Sequence, residues 1–192
     1  MRVNEIFYSL QGEGLHTGTP ATFVRFSGCN LKCPFCDTDF KEYTEMSEEE
    51  IVAEVCKNPA SLVVITGGEP ALQLTYSLVE KLHRASKIVA VETNGTHRPP
   101  MNVDWITISP KQAYVGDIGK QTFHYADELK VVYDNEHEVE DYGIKAQYYF
   151  LQPCDTGDEQ KNKEIINDCV EFIKKNPKWR LSLQTQKILN VR

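Results

Sequence analysis

The chain has 192 residues, 41% of them hydrophobic, and a net charge of −7. That is enough apolar material for one domain spanning 1–192 with its own core, and the acidity offers no broad basic field to a nucleic-acid backbone. No run approaches the roughly eighteen apolar residues of a membrane helix, and the opening "MRVNEIFYSLQGEG" lacks the basic and long apolar runs of a signal peptide. A cytoplasmic protein without membrane or nucleic-acid partners is expected.

In chain order, the predicted strands are "ATFVRF" (Ala21 to Phe26), "LVVIT" (Leu62 to Thr66), "IVAVET" (Ile88 to Thr93), "WITIS" (Trp105 to Ser109), "LKVVY" (Leu129 to Tyr133) and "YYFLQ" (Tyr148 to Gln152), with "RLSLQ" as a less regular seventh. Several are apolar at consecutive positions, the pattern of a parallel sheet covered on both faces. Between them, Ser47 and Glu50 have the spacing of a capping box opening a helix through Cys56. Leu74, Leu78 and Leu82 mark a second helix. Ile165, Cys169 and Ile173 mark a third, stopped by Asn176-Pro177. Alternating strand and helix predicts α/β architecture with right-handed crossovers. About six strands are too few for a closed eight-fold barrel, so an open, partial TIM-like barrel with few crossover helices is expected.

In such sheets chemistry gathers in the loops at the carboxyl ends of the strands. There the sequence places "TGGEP" (Thr66 to Pro70), "ETNG" (Glu92 to Gly95), "SPK" (Ser109 to Lys111) and "QPCD" (Gln152 to Asp155). The loop after the first barrel strand reads "GCNLKCPFCDT", with Cys29, Cys33 and Cys36 spaced C-x-x-x-C-x-x-C. In a reducing compartment such a cluster speaks for a metal or catalytic site rather than a disulfide framework. A structural zinc would need a distant fourth ligand, such as Cys56, Cys154 or a histidine. A 4Fe-4S cubane held by three cysteines instead keeps one iron for a small molecule. His16, His83, His97, His124 and His137 are scattered singly and read as surface or loop residues.

The triple-cysteine spacing, with the aromatic Phe35 before the third thiol, resembles the radical S-adenosylmethionine superfamily. "TGGEP" is similar to that superfamily's loop for the methionyl amine. "YSLQGEG", "FVRFSGCNLKCPFCDT", "VETNG", "SPK" and "SLQTQK" extend the resemblance nearly end to end, to the 7-carboxy-7-deazaguanine synthases. The resemblance implies a lyase that uses a 4Fe-4S cluster, S-adenosylmethionine and magnesium. Its reaction would be the ring contraction of 6-carboxy-5,6,7,8-tetrahydropterin with loss of ammonia, on the route to queuosine and related deazapurines. It also implies a homodimer and an external flavodoxin-like or ferredoxin-like electron donor.

Carried over residue by residue, the family pattern gives the cluster Cys29, Cys33 and Cys36, and magnesium Thr38. S-adenosylmethionine would meet Phe35, Cys36, Asp37, Gly68, Ser109, Pro110, Lys111, Gln152, Pro153, Cys154 and Asp155. The pterin would meet Leu10, Gln11, Gly12, Glu13, Arg25, Thr66 and the terminal carboxylate on Arg192. Arg25 has the chemistry to grip a carboxylate with parallel hydrogen bonds, and Glu92 is a further candidate for either ligand. The chain departs from the family at Gln186, where "QTHK" is common; glutamine can hydrogen-bond but cannot titrate near neutral pH. Two alternatives stay open here: an activase that abstracts hydrogen from a glycine of a partner protein, and an iron-sulfur electron carrier. The vacant iron argues against the carrier.

Overall fold

The apolar strand segments pair side by side in nearly the order in which the chain lays them down. The structure, a computed structural model, describes residues 1–36, 38 and 42–192. Its elements are β1 (Arg2–Leu10), β2 (Pro20–Phe26), β3 (Thr44–Glu45), α1 (Glu48–Val55), β4 (Leu62–Gly67), α2 (Tyr76–Arg84), β5 (Ile88–Thr93), β6 (Trp105–Ile108), α3 (Gln112–Val115), β7 (Tyr125–Tyr133), β8 (Lys145–Pro153), α4 (Glu159–Lys175), β9 (Arg180–Leu181) and α5 (Thr185–Leu189). Among the described residues they form one sheet in the order β3-β1-β2-β4-β5-β6-β7-β8-β9. The neighbours from β2 through β9 are parallel, while β1 runs antiparallel to β2 and β3. The sheet is therefore the expected open, mostly parallel one of a partial TIM-like barrel.

The six main predicted strands are β2 and β4 to β8, and "RLSLQ" supplies the two-residue β9 at the edge. β1 went unpredicted because "RVNEIFYSL" does not alternate apolar with polar; its register is also shifted between Val3 and Glu5. The capping box forms: Ser47 Oγ accepts from the Glu50 N–H at 3.2 Å, and a Glu50 carboxylate oxygen accepts from the Ser47 N–H at 2.7 Å. Such a cap contributes about 1 kcal/mol. Leu74, expected within the second helix, precedes it. Thr75 is the N-cap, its hydroxyl accepting from the Leu78 N–H at 3.0 Å. α4 ends at Lys175, with Asn176 as its C-cap ahead of the proline.

Side chains alternate across each strand, and this alternation builds the site. Val24 and Phe26, Val63 and Ile65, and Val89 and Val91 pack under Ile51 of α1 and Leu78 and Leu82 of α2. Leu129, Val131 and Leu151 pack under Ile165 and Cys169 of α4. Burying each such aliphatic side chain contributes about 1.5–3 kcal/mol. The intervening residues, Arg25, Thr66, Glu92, Lys130 and Gln152, face the opposite side and line a cavity. At the amino ends of the strands that inner side is closed by Ala21, Phe23, Leu62, Val64 and Ala90, with Phe7 and Trp105 against them. No described helix is long and apolar enough to cross a membrane.

Candidate active site

The cysteine loop is held by an extension of the β2–β4 pairing. Beyond the last strand residues, the Gly68 N–H donates to Phe26 O at 3.1 Å and the Glu69 N–H to Gly28 O at 3.0 Å. Two glycines make this approach feasible. Gly67 has φ +134, and a Cβ on Gly68 would stand 2.0 Å from Gly28 O. Glu69, fully buried, accepts from the Ala71 N–H at 2.9 Å, the Thr93 hydroxyl at 2.7 Å and the Asn94 N–H at 2.8 Å. Asn94 donates in turn to Asn30 at 3.2 Å. The loops after β2, β4 and β5 are thus one hydrogen-bonded unit. Burial pushes the Glu69 carboxyl up, opposed by its three donors.

Cys29, Cys33 and Cys36 all line the cavity, whose volume is about 510 Å³. Burial raises the Cys29 and Cys33 thiols above their ordinary range; the Cys36 thiol raises both further, and Lys111 opposes the rise at Cys33. Cationic iron is the kind of partner that reverses such a shift. Among the described residues no three ligands converge on a single ion. A cubane does not ask for that, because each thiolate binds a different iron. The residues fit a three-cysteine cluster.

Around the thiols, the edge of the Phe35 ring meets Tyr114 at 4.5 Å, and Lys111 Nζ lies 5.9 Å from the Phe35 ring centre. Lys111 donates to Ser109 Oγ at 2.5 Å, and burial holds its ammonium below the usual lysine value. Gly68, Ser109, Lys111, Gln152, Pro153, Cys154 and Asp155 share the lining; Pro110 is buried outside it. Asp37 lies outside the described residues.

The other half of the cavity is polar. Leu10, Gln11, Gly12, Glu13, Arg25, Thr38, Thr66 and Arg192 all line it. Arg25 donates through Nε to Glu5 at 2.9 Å and through Nη1 to the Thr38 hydroxyl at 3.4 Å. Part of the guanidinium fork is thus already engaged. The chain end lies along β1: the Ser9 hydroxyl donates to Arg192 O at 2.5 Å, and the Arg192 guanidinium pairs with Glu5. Glu13 accepts from Lys130 at 2.5 Å, Gln184 at 3.1 Å and Gln186 at 3.0 Å. Gln186 therefore spends its amide N–H on Glu13, and its carbonyl oxygen is buried without a partner.

Sequence reasoning missed Glu5, Lys130 and Gln184. A charged residue inside the apolar run "LKVVY" was the available signal for Lys130. Gln184 lies within "SLQTQK", so the family resemblance was its signal; Glu5 gave none, since it stands out in neither composition nor spacing.

Glu128, two residues before Lys130 on β7, is also buried and accepts from the Leu15 N–H at 2.9 Å, tying down the segment between β1 and β2. Burial raises its carboxyl from 4.5 to about 6. The folded state thus holds this proton more tightly than the unfolded one, so stability falls as pH rises from about 4.5 through about 6. Glu128→Gln removes that loss. Its unfolding free energy is expected to gain on the wild type by about 2 kcal/mol between pH 4 and 7 in urea titrations; parallel curves would refute the assignment.

A cluster-competent triple-cysteine loop at the carboxyl ends of a partial parallel barrel defines a radical S-adenosylmethionine enzyme, and residues 23–111 match the Radical SAM superfamily. The chain is 50% identical to 7-carboxy-7-deazaguanine synthase of Bacteroides thetaiotaomicron over 192 residues, covering 100% of this chain and 98% of that one. It is 37% identical to the enzyme of the same name from Haemophilus influenzae, over 97% of this chain and 92% of that one. Its fold matches the crystal structure of QueE from Escherichia coli with a TM-score of 0.72 at 27% identity, covering 95% of this chain and 92% of that one. The chain belongs to the 7-carboxy-7-deazaguanine synthase family of radical S-adenosylmethionine lyases, and family membership brings with it a 4Fe-4S cluster and S-adenosylmethionine.

Proposed function

We propose that this protein contracts the ring of 6-carboxy-5,6,7,8-tetrahydropterin to 7-carboxy-7-deazaguanine with loss of ammonia. The observation that carries the reading is one cavity lined both by the three thiols and by Arg25, Gln11 and Glu13. When bound, the cluster and S-adenosylmethionine supply a hydrogen-abstracting carbon radical. The chain's own residues bind and orient. Cys29, Cys33 and Cys36 hold the cluster, while Phe35, Gly68, Ser109, Lys111 and the segment from Gln152 to Asp155 border the S-adenosylmethionine side. The remaining N–H donors of Arg25 suit the substrate carboxylate. Leu10, Gln11, Gly12, Glu13, Thr66 and Arg192 form the surrounding pterin wall.

Magnesium is proposed at Thr38, which lines the cavity and carries a hydroxyl oxygen, the hard donor type that such a cation takes. The reading includes a cytoplasmic homodimer, supported by exposed Ile188, Leu189 and Val191 around a smaller apolar groove with Leu10, and a flavodoxin-like or ferredoxin-like donor. Anaerobic reduction with S-adenosylmethionine and the pterin should yield the deazaguanine without any protein partner. Formation of 5′-deoxyadenosine only in the presence of a partner protein would identify an activase instead. In the same assay Thr38→Val, which removes the oxygen and keeps the shape, should lower turnover about tenfold or more and flatten the magnesium response at unchanged iron content. A wild-type magnesium curve in that variant would place the metal elsewhere.

A further inference from the structure

Lys130 lies in the middle of β7, between residues that pack under α4, yet its side chain faces the cavity and is only 4% exposed. Its ammonium donates to Glu13 at 2.5 Å and to Glu92 at 2.7 Å. The other groups on these carboxylates are amide N–H donors: Gln184 at 3.1 Å and Gln186 at 3.0 Å on Glu13, and Gln11 at 3.0 Å on Glu92. An ammonium has no acceptor, and each amide here presents its nitrogen. A proton on either carboxyl would therefore point at a donor, so the network is built for two carboxylates. Glu13 already takes three donors; Glu92 takes two and keeps acceptor capacity, with 22% of its side chain exposed toward the cavity.

We propose that Lys130 is a positioning residue for the reaction. It clamps Glu13 and Glu92 as a pair of carboxylates across the inner face of the sheet and leaves Glu92 open to a proton donor on the substrate. The proposal rests on the ring-contraction reading for the identity of that donor, but not for the state of the carboxylates. Burial disfavours the Lys130 ammonium, and Glu13 and Glu92 outweigh it, holding it above the usual lysine value. The other charged or titratable groups that act on the array are Lys111 from the loop after β6, Glu128 from β7 itself, and His16 from the segment after β1. With two anions and one cation, the array is already short of positive charge. Removing Lys130 leaves two half-buried carboxylates facing amides alone, and their repulsion favours a proton on one of them.

The test uses the cluster-loaded enzyme with Lys130→Met and Lys130→Arg. Lys130→Met should retain its iron and show, at neutral pH and without substrate, an infrared carboxylic-acid band additional to any that the wild type shows. Its kcat/KM for the pterin should fall at least tenfold at pH 7, with the acid limb of the pH profile displaced upward by a unit or more. Lys130→Arg should restore both signatures toward the wild type. An unchanged acid limb without the acid band, whether or not activity falls, overturns the proposal and makes Lys130 a packing residue. If Lys130→Met does not fold, Lys130→Gln, which removes the charge and keeps both carboxylates, carries the same test, and absence of the acid band there overturns it equally. Because the band is read without pterin, it survives a failure of the substrate assignment.

Discussion

Alanine at any one of Cys29, Cys33 or Cys36 is expected to abolish iron-sulfur absorbance and to take turnover below detection. Each thiol lines the cavity from one short loop, and a cubane anchored by two cysteines would have two irons without protein ligands. Cys169→Ala is the informative control. Cys169 is fully buried under the sheet on α4, where burial pushes its thiol up to about 12 and keeps it an inert apolar filler. It should retain the full cluster and lose about 1 kcal/mol of stability. Iron quantitation and visible spectra on the four variants decide the matter. A Cys169 variant without a cluster, beside a loop variant that keeps one, would refute the ligand assignment.

Gly68→Ala should be nearly as damaging without touching a single ligand atom. The added methyl would stand 2.0 Å from Gly28 O and 2.8 Å from Cys29 Cβ. Neither neighbour is a flexible side-chain tip, so the cysteine loop or the Gly67-Gly68 turn must move. Overpacking against backbone costs about 1–3 kcal/mol, and a shift of about 1 Å at a reacting centre can cost about a hundredfold in rate. The expected variant is folded, less stable by about 3 kcal/mol, and at least a hundredfold slower. Gly18→Ala provides the comparison. Its φ of +86 is unfavourable for alanine, a strain that Gly68 does not carry, but nothing lies within 4 Å of the new methyl, so it should lose some stability and keep its rate. Equal turnover in the two variants would show that the close approach at Gly68 has no bearing on catalysis.

Much of this was legible in the chain because each message is local. Consecutive apolar residues revealed the parallel strands, Ser47 and Glu50 the start of α1, and three cysteines within one loop the site itself. What escaped depends on distant partners. β1 is stabilised by pairing with β2, and its Glu5 serves Arg25 and Arg192, so no periodicity marks it as a strand. Lys130 is spaced like a core residue, and only the fold brings Glu13 and Glu92, 117 and 38 residues away, onto its ammonium. Arg25 was read as free to grip a substrate; its tie to Glu5 could not be inferred without β1.

The backbone contacts that carry the β2–β4 ladder into the Gly28 and Gly68 loops also set an order of events in the life of the molecule. Small zinc modules use the metal to organise the chain, so loading and folding coincide. Here the scaffold beneath the thiols is made of peptide hydrogen bonds, the buried Glu69 carboxylate and the apolar layer under α1 and α2, none of which needs iron. The scaffold is therefore expected to fold without the cluster, which would load afterwards. Oxidative loss of the cluster should then leave a native-like protein awaiting repair, rather than a denatured one marked for disposal.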